Sequence, residues 1–507
     1  MTSAPAQARQ PSRPVPSDPG SSMPSLLRTR LGVLTLLLLC GIQFLDVVDS
    51  SITNVAFPTI QRALHFSQQD LQWVASGYLL TYGGFLLLGG RLADLLGRRL
   101  ILVSGLLVFG ACSLAAGLAQ SEWALIAARV LQGVGAAMMA PAALSILTTT
   151  FSEGRDRNTA LGVWGAITGL AAAAGVFLGG VLSEGPGWRW VFYVNIPVCL
   201  LALGAAFRLL PAEHKRAPLS NFDTPGALLG TGGMLLLVYA LIKAPDIGWS
   251  NARTIGLLAS AALILLVFVL NERRSRNPLL DLSIFRVRGL AAADATWLIG
   301  MAGFFAMFFF LTLYMQEVLG FSPIQAGAAY LPVTLCLALA SGVSSQLFVR
   351  IGTRPVIVAG ALLSAGGIFL LSRIPPHGSY VSDVLPGLII MAVGFGAVFV
   401  GVTTAANAGV PADKAGLAAG LLSTSQQLGM ALGLAILSAI ATARTEHALA
   451  AHVARPEALT SGYQRALLVC SIFVLAAALI ASRTPNARTA AQPLVVPSEA
   501  TPGPALL

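Results

Sequence analysis

Stretches of about 20 consecutive apolar residues, the length a helix needs to cross a bilayer, recur fourteen times along this 507-residue chain. They lie near 31–54, 71–90, 100–119, 123–149, 157–182, 191–207, 225–242, 254–270, 290–313, 325–348, 355–372, 384–405, 416–440 and 464–481. One such run could be an anchor or a signal peptide; fourteen leave little chain for a water-exposed domain. Only 10% of residues are charged, against about 25% in soluble domains. Lipid offers backbone amides no partners, so runs of this length close their hydrogen bonds as helices. The expected fold class is an all-α integral membrane protein with fourteen transmembrane helices. Residues 1–27 and 483–507, rich in Pro, Ser and Ala, are expected to be disordered tails.

Lys and Arg in alternate loops set the orientation, because positive charge is retained on the cytoplasmic side. With both termini inside, 22 of the 31 fall in cytoplasmic segments, eight in outer segments, and Arg129 within a span. Trp73, Trp123, Trp188 and Trp190 then sit at the outer interface, where an aromatic belt is expected. The net charge of +10 comes in short clusters between apolar runs, so topology accounts for it and no nucleic-acid partner is expected. The five cysteines, odd in number and all inside apolar runs, imply no disulfide framework.

Residues 91–105, RLADLLGRRLILVSG, match 346–360, QLFVRIGTRPVIVAG, with Leu92 on Leu347, Gly97 on Gly352, Arg99 on Arg354 and Gly105 on Gly360. Both segments are second-to-third-helix loops if the chain is six helices (28–210), two extra helices with their loops (211–288) and six more (289–482). Two related halves are the arrangement in which rocking of one against the other gives alternating access.

Apart from Arg157 and Arg465 at span edges, only four charged side chains lie inside the spans: Asp46, Asp49, Arg129 and Asp294. Each costs about 2.5–3.5 kcal/mol to insert, so a paired or functional role is the default. Gln43, Asp46, Ser50 and Thr53 follow one helical face, with Asp49 one position off it. Two carboxylates three residues apart in low dielectric titrate as a coupled pair, and one that is neutral when buried and ionised when wetted carries a proton. Arg129 cannot release its proton, so it orients or balances a carboxylate. Asp294 lies near the start of its span, where a helix N-terminus favours an anion. No lysine stands in a phosphate-binding Gly-Lys-Ser/Thr sequence, and no metal-ligand spacing stands out. No cofactor is therefore expected, and the proton is the coupling ion. A proton crossing 100 mV supplies about 2.3 kcal/mol, more than the roughly 1.4 kcal/mol of a tenfold solute gradient.

LDVVDSSITNVAFP (45–58), GGRLADLLGRR (89–99) and ARVLQGVGAA (128–137) resemble signatures of the fourteen-spanner drug:proton antiporters of the major facilitator superfamily, and the likeness covers about residues 30–480. GVFLGG (175–180) resembles the fifth-helix antiporter signature, with Val176 where that signature has proline; WRWVFYVNIP (188–197) and GLAAGLLSTSQQLG (416–429) are also similar. The resemblance implies the major facilitator fold, two six-helix halves with two extra helices between them. It implies proton coupling by Asp49 and Arg129, with Asp46 an addition to the pattern. It further implies a conformational gate of Gly90, Asp94, Gly97, Arg98 and Arg99, and close helix packing at Gly133, Gly175, Gly179 and Gly180. The function implied is proton-driven export of small hydrophobic or cationic drugs across the bacterial cytoplasmic membrane by a monomer, not an enzyme. A proton-coupled metabolite importer and a non-transporting membrane sensor remain open at this point.

Overall fold

The structure is a computed structural model; it describes residues 27, 29–151, 155–211, 223–275, 278, 282–287, 289–407, 410, 415–484 and 486. The tails expected to be disordered lie largely outside the described residues. The described residues form helices and no strand. The first six-helix set comprises α1 (Arg30–Leu64), α2 (Gln68–Leu96), α3 (Arg98–Leu118), α4 (Glu122–Thr150), α5 (Arg155–Leu182), and then α6 (Trp190–Tyr193) running almost directly into α7 (Asn195–Leu209). Next come α8 (Thr224–Ile247) and α9 (Ala252–Arg274). The second set comprises α10 (Leu290–Leu313), the short α11 (Pro323–Ala329) leading into α12 (Leu331–Ile351), α13 (Thr353–Leu371), α14 (Leu385–Asn407), α15 (Ala415–Ala450) and α16 (Arg455–Ala481). Twelve helical stretches are long and apolar enough to cross a membrane. The 29-residue α2 and 28-residue α5, each with side chains outside the described residues, are not among them, so among the described residues the fourteen-span expectation is met as far as twelve. α2 carries buried polar groups, Gln72, Ser76, Thr81 and two tyrosines, among its apolar residues.

Helix starts follow local chemistry. Thr29 accepts the Gly32 N–H at 3.0 Å, Ser67 that of Asp70 at 2.9 Å and Asp223 that of Gly226 at 2.8 Å, satisfying donors that a helix N-terminus leaves free. Gly97 and Gly352, paired by the sequence repeat, both break the chain at positive φ (106° and 85°) between a second and a third helix. Arg99 then donates to the Phe207 carbonyl at 3.0 Å, at the end of α7, while Arg354 donates through Nε to the Thr484 carbonyl at 2.7 Å, just past α16. Each set thus clamps the start of its third helix to the end of its sixth. Neighbours repeat as well: α3 with α4 as α13 with α14, α2 with α4 as α12 with α14, α1 with α5 as α10 with α15.

The helices alternate in direction, so Arg30 and Ala481 share one face of the bundle, the terminal face. On the opposite face the two sets seal against each other: Gln316 Nε2 donates to the Val55 carbonyl at 2.9 Å, and the Ile324 N–H donates to Glu184 at 3.1 Å. The Ser322 hydroxyl and this N–H hold the exposed Glu184 carboxyl below the usual glutamate range. α8 packs on α2 through Thr231 Oγ1 to the Gly84 carbonyl (3.0 Å) and the Lys243–Asp70 pair (3.1 Å), and also touches α15. α9 is mostly exposed apolar surface, as a lipid-facing helix must be.

Candidate functional site

All four charged residues that the sequence placed inside spans are buried, and three of them meet in the first helix set. Asp49, fully buried on α1, pairs through Oδ2 with Arg129 Nη1 of α4 at 2.6 Å. Its Oδ1 accepts from Gln132 Nε2 at 2.9 Å and from Asn195 Nδ2 of α7 at 2.6 Å. Both amides also donate to the Ser113 hydroxyl of α3, at 2.8 and 3.0 Å. Arg129 also donates through Nε to the Val74 carbonyl of α2 (3.0 Å) and through Nη1 to Gln132 Oε1 (2.8 Å). A buried ion pair of this kind holds only when further hydrogen bonds satisfy it, and four helices of the first set supply them.

Asp46, one turn earlier and also buried, has a different environment. Tyr78 donates to its Oδ1 at 2.9 Å and Tyr82 to its Oδ2 at 2.7 Å, both from α2. No cation pairs with it among the described residues. The two carboxylates are still physically linked, because the Arg129 guanidinium lies 4.2 Å from the Tyr78 ring centroid, inside cation–π range. Tyr82 also hydrogen-bonds the Gln427 side chain of α15, in the second set. The rest of the polar stripe is absorbed locally: Ser50 and Thr53 donate to the carbonyls of Asp46 and Asp49, and Gln43 reaches Thr168 of α5 at 3.3 Å. A cavity of about 10 Å³, lined by Ser50, Thr53, Tyr78 and Arg129 from one set and Phe305 from the other, lies beside the pair. That is room for about one water molecule.

The glycines act through close approach. A side chain at Gly133 would strike the Tyr78 backbone, at Gly179 the Ile52 carbonyl (2.6 Å), and at Gly180 the Pro323 carbonyl of the second set (2.6 Å). Gly175 has Ser51 Cβ at 2.8 Å and the Val48 carbonyl at 3.0 Å from the same hypothetical atom. α5 runs unbroken past Val176, and a π-helical turn, Ser183–Gly187, follows it. Among the gate residues, Gly90 meets only the Pro141 side chain at an ordinary 3.6 Å, and its neighbour Gly89 makes the tight contact, with Met138 Cα at 3.2 Å. Arg98 donates to Thr149 Oγ1 at 2.9 Å, and Arg99 is committed to Phe207. Asp94 falls on α2, and its side chain lies outside the described residues. Asp294 does not follow its expectation. It stands five positions after the Gly289 cap, past the first turn, and neither oxygen accepts a hydrogen bond among the described residues.

Five partners were not singled out as site residues from the sequence. Gln132 sits in the quoted fourth-helix motif and Asn195 in WRWVFYVNIP, so a motif signal was present for both. Tyr78, Tyr82 and Ser113 carry no sequence signal beyond being polar groups in apolar runs.

Two related sets of membrane-length helices, packed about a buried charge cluster, define a polytopic helical membrane protein. The chain belongs to the Major Facilitator Superfamily, whose sequence model matches residues 39–434. It is 40% identical over 479 residues to the puromycin resistance protein pur8 of Streptomyces alboniger, covering 91% of this chain and 94% of that one. It is 36% identical to the cephamycin export protein CmcT of Amycolatopsis lactamdurans, covering 92% and 96%. Identity to the multidrug resistance protein Stp of Mycobacterium tuberculosis is 35%, covering 88% and 80%. Among solved structures, a D-xylose-proton symporter superposes with a TM-score of 0.61 at 13% identity, covering 90% of this chain and 98% of that one. The human organic anion transporter MFSD10 does so with 0.59 at 15%, covering 89% and 99%. These structural likenesses are of fold.

Proposed function

We propose that this chain exports small hydrophobic or amphipathic compounds, antibiotics among them, across the bacterial cytoplasmic membrane in exchange for protons. The relatives named for resistance and export, alike over most of both chains, support the direction and the substrate class. The observation that carries the coupling is the buried cluster on α1. Asp49 is balanced by a fixed cation, and Asp46 is held only by two neutral phenols. Asp46 is thus the group free to exchange a proton when water reaches it. Its change of charge acts on Tyr78, beneath Arg129, and so on the Asp49 pair. Tyr82 carries the same change to Gln427 across the seam between the sets. The half-buried Phe304, Phe305 and Phe308 of α10 supply an apolar wall for substrate.

In this reading α2 and α5 also cross, giving fourteen spans, and both termini are cytoplasmic. The sealed face is then the outer one, and Gly90, Asp94, Gly97, Arg98 and Arg99 latch the cytoplasmic one. The protein works as a monomer without a cofactor. The test is dye uptake into inverted membrane vesicles under an imposed pH gradient, with wild type, Asp49→Asn and Asp46→Asn. Gradient-driven uptake by wild type and its loss in both variants is the expected result. Equal uptake in all three overturns the coupling assignment, and no uptake of any hydrophobic compound by wild type overturns export.

A further inference from the structure

The two helix sets share a contact that fixes their relative register. Gly175 and Gly179 of α5 lie against the backbone of Val48 and Ile52 on α1; Gly429 and Gly433 of α15 lie in the same way against Leu298 and Ala302 on α10. Setting Leu298 on Val48 and Ala302 on Ile52 brings Asp294 to the level of Phe44, two residues from Asp46. At about 1.5 Å of rise per residue the two carboxylates differ in depth by only about 3 Å. The first helix of each set therefore buries an acid at matched depth.

Asp294 is 6% exposed, and neither of its oxygens has a hydrogen-bond partner among the described residues. Among the described residues, no cation pairs with it either. α14 has no charged residue between Leu385 and Asn407; the charged residues of α15, Arg444, Glu446 and His447, stand at its far end. On α16, Arg455, Glu457 and Arg465 lie toward the far face, and Arg483, beyond its end, is exposed, as is Arg286 on the short helix before α10. α1 meets α10 near the sealed face, through Phe57 and Phe309. An ionised carboxylate without partners is among the costliest groups to bury, whereas the neutral acid is not. We infer that Asp294 is a second proton-carrying carboxylate, placed in the second helix set at the depth of Asp46, so that two protons enter per molecule exported.

The inference rests on the exporter reading for its stoichiometry but not for its chemistry, and two measurements separate them. The first uses infrared spectra of the purified full chain in detergent, for wild type, Asp46→Asn, Asp294→Asn and Asp294→Glu. Beside the contribution of Asp46, seen as the part lost in Asp46→Asn, a C=O band of a protonated carboxylic acid that titrates in wild type, is lost in Asp294→Asn and returns in Asp294→Glu is expected. The same band in wild type and Asp294→Asn overturns the assignment. The second uses ethidium, a monovalent cation, in proteoliposomes with the membrane potential as the sole gradient. Exchange for two protons moves one net charge, so 100 mV changes the steady-state dye ratio by about fiftyfold, and one-for-one exchange by none. Asp294→Asn is expected to keep transport driven by a pH gradient and to lose the response to potential, and Asp294→Glu to retain both. An unchanged response to potential in Asp294→Asn overturns the inference. If wild type moves no ethidium under either gradient, the exporter reading fails for this cation, and the infrared result alone decides whether Asp294 holds a proton.

Discussion

α1 and α10 occupy corresponding places in the two helix sets, held by the same glycine contacts, yet they are built for different work. α1 carries two carboxylates whose oxygens are all engaged by α2, α4 and α7. α10 carries one carboxylate with no partner among the described residues, followed by aromatic residues that stack on α14, Trp297 against Phe395 and Phe399 and Phe304 against Phe395 at 3.7 Å. Pseudo-symmetry here is a property of the packing and not of the chemistry. Glycines and loop clamps fix where helices lie, and the side chains between them are free to diverge.

The largest effect that can break this comparison is on stability. Asp49→Asn leaves Arg129 buried without its counter-charge, a loss of about 3–5 kcal/mol, and thermal unfolding in detergent should register it as the most destabilised of the acid variants. Asp46→Asn removes one of the two oxygens that accept the phenol hydrogen bonds and should cost about 1 kcal/mol. Asp294→Asn removes an acid that bonds to nothing and should leave the melting temperature unchanged or raise it. A fall as large as that of Asp49→Asn would show that Asp294 has a partner.

The packing side of the comparison is tested by Gly179→Val and Gly433→Val. Each drives a side chain into the backbone of the set's first helix, and each should cost about 1–3 kcal/mol. Similar losses sustain the shared register, and a cost confined to one set removes it. A smaller effect, about 1 kcal/mol each, is expected for Arg99→Ala and Arg354→Ala, measured in the same melts. The smallest is at the sealed face. Because the Glu184 carboxyl sits below its ordinary range, its contact with Ile324 is complete above that range and is lost as pH falls through the lowered value. Glu184→Gln should speed amide exchange around Ile324 at neutral pH only. Equal exchange in wild type and variant at neutral pH would mean that the carboxylate does not hold this face.

Much of this was legible in the chain. Run length gave the helices, and the alignment of two fifteen-residue segments gave the correspondence of Arg99 with Arg354 and of Gly97 with Gly352. Helical periodicity put Asp46 and Asp49 on neighbouring faces. None of these signals reaches across the bundle. Tyr78 stands 32 residues from Asp46, Arg129 80 from Asp49, and Asn195 146 from it. Which of two adjacent acids receives the cation and which the phenols depends on a rotation of about 100° per residue about α1 and on what stands there.

The amino-acid order alone decided that the chain lives in lipid as helices, which charges are costly enough to need a reason, and which segments repeat, because hydrophobicity and spacing are local properties. Tertiary packing alone decided that Asp49 is neutralised, that Asp46 is held by tyrosines and that Asp294 has no partner among the described residues, because the worth of a buried charge is set by the groups that other helices bring to it.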